Sequence, residues 1–467
     1  MRLDALAACA AWALAGCGPR LLWHGRSADR RVRVEVVERD RAQSVVVDGV
    51  AQPRFDAVGY ASLVASDDGR VVAYPALRAG RWHVAVNGVA GPAFDGVGEV
   101  ALSPDGSRVA YAALRGGRWR VAHDGREDAP FASIIARTLR WTAGARRLVY
   151  VARDGRGDRS VVVDGVPGPA ASSVRALRVG DKGALVAYVA RLGGADHVVV
   201  DGRVGPACRR VTDLSVAEAS PHVVYVAVRE GFTEVVRDDA VVVGAAGDFA
   251  APRISADGEH TACLHVDDHA VDVMLDGRTV ARHDDVEDGT FTLTRDGSHV
   301  IYVAVARGRR RVFRDADGGP GFEALPGFTA LPSGRWAYVG RRGDALHVYV
   351  DGRHVHTERG WVGALALPDA GTRYAYFAER ADRAAVVDDR GERVVGVPIN
   401  DSLTFDALGR RWGCLAGDRE TRRVRFVLEG GAERAFDWDE VGSMMLRGGD
   451  ALDEGAARRL VRAELAR

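Results

Sequence analysis

Lysine is nearly missing from this sequence: Lys182 stands alone among 64 basic residues, the rest being arginine. That bias follows the codon usage of a GC-rich genome rather than a chemical need. Acidic residues also number 64, so no surplus of positive charge remains to coat a nucleic-acid backbone. Cysteine is scarce, and the five present form no CxxC pair or other metal-type spacing. There is no Gly-x-Ser-x-Gly elbow of the hydrolase kind and no phosphate-cradling loop ending in Gly-Lys-Ser/Thr. No motif therefore assigns a catalytic, cofactor or metal site, and enzyme activity is left open rather than expected.

What is plentiful is glycine, 56 residues, set between short apolar runs in a chain that is 47% hydrophobic and 27% charged. Such a balance belongs to a folded protein and excludes wholesale disorder. The glycines fall in a repeat. Ser103-Pro104-Asp105-Gly106-Ser107-Arg108-Val109-Ala110-Tyr111 recurs in weakened form along the chain, marked by Tyr74, Tyr111, Tyr150, Tyr188, Tyr225, Tyr302, Tyr338 and Tyr376. Neighbouring markers lie 36 to 39 residues apart except for one double step, in whose middle stands Cys263. Glu35 and Cys414 extend the register outward to eleven copies with a period of about 38. Periods of this size mean a solenoid, a propeller or another array.

Each copy reads as four short antiparallel strands. In the unit from Val97 to Pro130 the turns are Pro104-Asp105-Gly106, Gly116-Gly117 and Asp124-Gly125, hairpin chemistry in each case. Third strands end alike at Asp48-Gly49, Asn87-Gly88, Asp164-Gly165, Asp201-Gly202, Asp276-Gly277 and Asp351-Gly352. A proline follows at Pro53, Pro92, Pro130, Pro169 and Pro206, which suits an outer edge strand because proline gives no amide hydrogen to a ladder. Helical repeats would need apolar spacing of 3.6 and few glycines; a β-solenoid would lack the paired Asp-Gly hairpins. The expectation is an all-β chain, a β-propeller of about eleven four-stranded repeats.

The Ser-Pro-Asp-Gly-x-x-Val-Ala-Tyr signature resembles the propeller repeat of the TolB family, often called WD-repeat-like. The likeness covers residues 31–447 and is weakest at Thr142-Ala143-Gly144 and Ala217-Glu218-Ala219-Ser220-Pro221, where the Asp-Gly turn is missing. It implies a fold and hardly any function.

Eleven units are many for one ring, so two consecutive smaller propellers are the alternative, divided in the eroded region 217–250. The first copy, Val32–Val58, shows strands two to four without an inner strand. Gly442-Ser443-Met444-Met445-Leu446-Arg447 reads as an inner strand without a blade. Pairing the two would close the array and hide its free edges. Residues 448–467 read as a short helix capped by Asp450, with Asp453 and Glu454 in its first turn.

Residues 5–16 are a twelve-residue apolar run behind Arg2, too short to span a bilayer but suited to a signal peptide. The run ends in Leu14-Ala15-Gly16-Cys17, which resembles the lipobox of bacterial lipoproteins. The resemblance implies a signal peptide at 1–16, lipidation of Cys17, and residues 17–30 as a polar tether. Two or more acyl chains would give stable anchoring.

Three further groups were weighed. His354 and His356 would share a strand face and could hold a metal with a third ligand. His265, Asp267, Asp268 and His269 sit in a hairpin, and Asp315, Asp317 and Glu323 resemble a calcium loop lacking its glycine. Exposed strand faces and turn chemistry explain all three more plainly, so neither metal nor cofactor is expected. Cys208, Cys263 and Cys414 read as buried apolar residues, a disulfide among them remaining open. The register tyrosines read as packing between adjacent sheets.

The functional expectation is a non-enzymatic lipoprotein of the bacterial envelope, on the periplasmic face of the outer membrane or on the cell surface. Its partners would be the membrane, through Cys17, and another envelope protein, with no nucleic acid. The alternatives are a hydrolase- or lyase-type propeller enzyme with a site at the central channel, and a surface module binding carbohydrate or another small ligand.

Overall fold

The computed structural model describes residues 19–437, except 27–31, 67, 104, 143–146, 181–184, 381–382, 400, 419–422 and 431–432. Arg458, Val461, Arg462 and Leu465 are also described. Among the described residues the strands form eleven antiparallel sheets, each a meander of four strand positions taken in chain order. In four of the sheets the opening position is split into two short pieces, as at Ala57–Val58 with Val64–Ala65. The repeat unit read from the sequence is thus one sheet. Its marker is the third residue of the second strand throughout, as in Val72–Arg78 (Tyr74), Val186–Leu192 (Tyr188) and Trp412–Gly417 (Cys414), except in Ala375–Glu379, where Tyr376 is second.

The start of the array corrects one expectation. The first sheet has an opening strand of its own, Arg20–Arg26, paired antiparallel with Arg33–Arg39. The place reserved for residues 442–447 is therefore filled from within residues 17–30, and 442–447 lie outside the described residues. Leu22 and Trp23 pack on the core shared by the first two sheets, which a polar tether would not do. The fourth strands differ too. In the first five sheets they are only two residues long, as at Val50–Ala51 and Val89–Ala90. They break before or at the repeat's proline and rejoin the sheet at a single bridge, as Gln43 with Phe55 and Trp82 with Phe94. Proline interrupts the ladder here rather than riding on its edge.

The chain divides into two compact units, residues 1–174 and 175–467. In each, neighbouring sheets bury a common cluster. In the first unit, Val34, Val36 and Val45 of the first sheet meet Tyr74 and Ala76 of the second. In the second, Val339 and Val348 of the ninth meet Tyr376 and Ala378 of the tenth. Tyr74, Tyr150, Tyr302, Tyr338 and Tyr376 are fully buried. Several phenols reach the preceding sheet: Tyr74 donates to Gln52 Oε1 at 2.8 Å, Tyr150 to Asp128 Oδ2 at 2.9 Å and Tyr376 to Glu358 Oε1 at 3.0 Å. The marker is inter-sheet packing with a polar tip, as a buried tyrosine requires. Beyond the eleventh sheet, Arg458, Val461, Arg462 and Leu465 are helical. Val461 and Leu465 are buried against Leu415, Val424 and Phe426.

Candidate functional site

The hairpin aspartates do more than turn the chain. Asp48, Asp164, Asp201, Asp238, Asp276, Asp315, Asp351 and Asn87 all adopt φ between 47° and 55°. Each side chain accepts a hydrogen bond, 2.7–3.1 Å long, from the backbone N–H that opens the second strand of the same sheet. Asp and Asn tolerate this left-handed conformation and carry the acceptor it needs. The remaining carboxylate oxygen often binds a basic residue just before that strand. The pairs include Arg147–Asp164, His222–Asp238 (2.7 Å), His260–Asp276 (2.8 Å), His299–Asp315 (2.6 Å) and Arg335–Asp351 (2.8 Å).

This basic column links one sheet to the next. Arg335 donates to the Arg373 carbonyl at 2.7 Å, and Arg373 donates in turn to the Arg410 carbonyl. The side chains of His222 and His260 lie where a Cβ at Gly258 or Gly297 would stand, 2.3 Å away. Those two turn glycines, at φ of 85° and 72°, are required by the neighbouring sheet as well as by the turn. The Asp-Gly signal was legible as a hairpin; its reach to a residue fifteen or sixteen positions earlier was not.

Asp276 holds the His260 imidazolium, helped by Asp257 and Glu259, and raises its pKa above the usual histidine value. A raised folded-state pKa contributes stability that is complete below about pH 6.5, the unfolded value, and is lost as pH rises through the folded value. His260→Gln should therefore lower the melting temperature at pH 6 and matter less at pH 9. With both side chains over 40% exposed, the effect is a few tenths of a kcal/mol, about the strength of an exposed pair. Equal losses at both pH values would mean the ring acts by packing alone.

Most of the candidate ligand side chains are engaged elsewhere. A β-bulge in the strand pairing separates His354 from His356. His354 turns to Thr357 and the Tyr349 ring, His356 to Tyr376 of the tenth sheet. Asp267 accepts from the backbone of His269 and Ala270, and His265 bonds the Ala246 carbonyl. Asp315 serves Val300 and His299, while Glu323 accepts from Gly343. No group of three or more such side chains fit for a metal ion occurs among the described residues. Cys208, Cys263 and Cys414 are buried and none is in a disulfide. Burial pushes the Cys263 thiol up to about 12, which keeps it an inert packing group. Cys17 lies outside the described residues.

Three clefts in the second unit differ in how their polar groups are used. Between the tenth and eleventh sheets, a cleft of about 230 Å³ is lined by Asp388, Arg390, Trp412 and Glu429. Its charges satisfy one another: Trp412 Nε1 donates to Asp388 at 2.6 Å and Arg390 pairs with Glu429 at 2.8 Å. Between the sixth and seventh sheets, a cleft of about 560 Å³ is lined by Arg209, Arg210, Thr212, Asp213, Asp248 and the buried Phe249. The exposed side chains of Arg209, Arg210 and Asp248 have no hydrogen-bond or ion-pair partner among the described residues. A third cleft, of about 490 Å³, opens between the ninth and tenth sheets beside Pro326, Arg341, Asp344 and Trp361.

Eleven meandering four-strand sheets, packed face to face within each unit, place the chain in the β-propeller class. No family model and no curated protein matches its sequence. Among solved structures, the chain is similar to a eukaryotic initiation factor (TM-score 0.38, 11% identity, 76% of this chain and 93% of that one). It is also similar to the β-propeller domain of the trilobed protease from Pyrococcus furiosus (TM-score 0.27, 10% identity, 64% and 94%). A third is the dihydro-heme d1 dehydrogenase NirN (TM-score 0.28, 15% identity, 65% and 74%).

Proposed function

We propose that this protein is a TolB-like lipoprotein of the bacterial envelope, anchored through acyl chains on Cys17, whose propeller is a non-enzymatic docking scaffold for another envelope protein. The docking reading is carried by the cleft between the sixth and seventh sheets, where Arg209 and Arg210 stand exposed beside Asp213 and Asp248, the two guanidinium groups having no hydrogen-bond or ion-pair partner among the described residues. Exposed guanidinium and carboxylate groups side by side suit a partner segment carrying charges of both signs, since arginine binds carboxylates through two parallel N–H donors and a carboxylate accepts from basic side chains. The anchor reading is carried by Leu14-Ala15-Gly16-Cys17. Arg20 opens the first sheet only three residues later, so an acylated Cys17 would hold that sheet within about 10 Å of the headgroups.

Two measurements test the two halves. Labelled palmitate should enter the wild type and not Cys17→Ala, and only the wild type should sediment with membranes; an unlabelled, unsedimented wild type would end the anchor reading. Tagged protein from solubilised envelope should retain a stoichiometric protein partner. Arg209→Glu combined with Arg210→Glu should lose it at unchanged melting temperature, and equal retention by the double variant removes docking at this cleft.

A further inference from the structure

We infer that the cleft between the ninth and tenth sheets is a saccharide-binding site with Trp361 as its stacking platform. Trp361 opens the first strand of the tenth sheet and is 41% exposed. Its ring lies along its own strand. The six-membered part of the indole lies 2.3 Å from where a Cβ on Gly363 would sit. Gly363 has no positive φ to explain it, so the glycine is there for the ring. One face of the indole is thereby covered by its own strand, and the other belongs to a cleft of about 490 Å³. Gly360 is fixed in the same way: a side chain there would meet the Glu379 carbonyl at 2.3 Å.

The other walls supply polar groups and no partner for them. Arg341 is the penultimate residue of the second strand of the ninth sheet, Trp336–Arg342, and Asp344 stands in the turn that follows it. Both are exposed, and neither side chain has a hydrogen-bond or ion-pair partner among the described residues. Pro326 and Leu346 add apolar edges. A flat pinned ring with a donor-only guanidinium and an acceptor-only carboxylate beside it matches a pyranose. The sugar's C–H face can stack on the indole while its hydroxyls both donate and accept. The cleft has the size of an ordinary small-ligand site, and its polar groups are few. An acidic peptide would find Asp344 opposed to it, and a phosphate would have no use for the ring.

This inference rests on the docking reading only in treating the clefts of the second unit as places where ligands are met; it is independent of Cys17 and of the sixth–seventh cleft. The test is calorimetric titration of the full chain with maltose, cellobiose and N,N′-diacetylchitobiose. At least one should bind, with affinity about tenfold weaker in Trp361→Ala, the equivalent of one lost aromatic stacking contact. Asp344→Asn and Gly363→Val should also weaken it, the latter by displacing the indole while keeping it. Melting temperatures of Trp361→Ala and Asp344→Asn should match the wild type. Binding of none of the three sugars, or undiminished binding by Trp361→Ala, overturns the inference. So does binding of a proline-rich or acidic peptide there in place of sugar. Sugar binding that persists in the Arg209→Glu, Arg210→Glu protein, together with loss of the protein partner, would leave both readings standing. Sugar binding with no protein partner at all would end docking and leave this inference intact.

Discussion

Replacing Arg373 with alanine is expected to destabilise the tenth and eleventh sheets by about 3–5 kcal/mol, because it leaves the buried carboxylate of Asp388 without its counter-charge. Arg373 is one-tenth exposed and reaches three carboxylates, the half-buried Glu429 at 2.8 Å, the exposed Asp389 at 2.9 Å and the buried Asp388 at 3.3 Å. It also lies over the Phe405 ring at 5.5 Å. Asp388 is itself buried and holds the indole of Trp412, so the loss propagates to the largest fully buried side chain among the described residues. Urea unfolding followed by tryptophan fluorescence would register it. Arg373→Lys should recover only part, since an ammonium cannot serve three acceptors and a carbonyl in one plane. A loss below about 1 kcal/mol for Arg373→Ala would mean the network is screened by water like a surface pair.

Tyr376→Ala is expected to cost a similar 3–5 kcal/mol, the usual loss for a large buried aromatic. Its ring is fully buried between the ninth and tenth sheets and its phenol donates to Glu358. Glu358 keeps the Arg380 guanidinium at 3.0 Å, so Tyr376→Phe should cost only about 1 kcal/mol, one hydrogen bond. Tyr188 offers the contrast. Its hydroxyl is buried with no hydrogen-bond partner among the described residues, and burial pushes its pKa up to about 12. Tyr188→Phe should therefore be neutral or slightly stabilising, since it removes an unsatisfied polar atom. Thermal melts of the three variants decide the matter; a Tyr188→Phe protein less stable than Tyr376→Phe would show the two phenols misassigned.

The difference between those tyrosines marks a boundary in what a sequence reveals. Tyr188 and Tyr376 stand in equivalent places in the repeat, and periodicity correctly put both in a second strand facing a neighbour. What meets the phenol comes from another sheet: Gln52, Asp128 and Glu358 lie 18 to 22 residues before their tyrosines, outside any local pattern. The same limit hid the column of Arg and His residues, whose aspartates lie sixteen or seventeen positions away. It also hid the opening strand Arg20–Arg26, which was read as tether because it lacks the alternation and turn residues of the later copies.

Local chemistry was sufficient for the strands, the hairpins and the count of eleven sheets. Turn residues and two-residue alternation act over a few bonds, and repetition multiplies a weak signal. The clefts, the pinning of Trp361 by Gly363 and the separation of His354 from His356 by a bulge were decided only in the folded molecule. Each depends on which side chains of distant segments meet across a sheet boundary, and a single register shift suffices to change that.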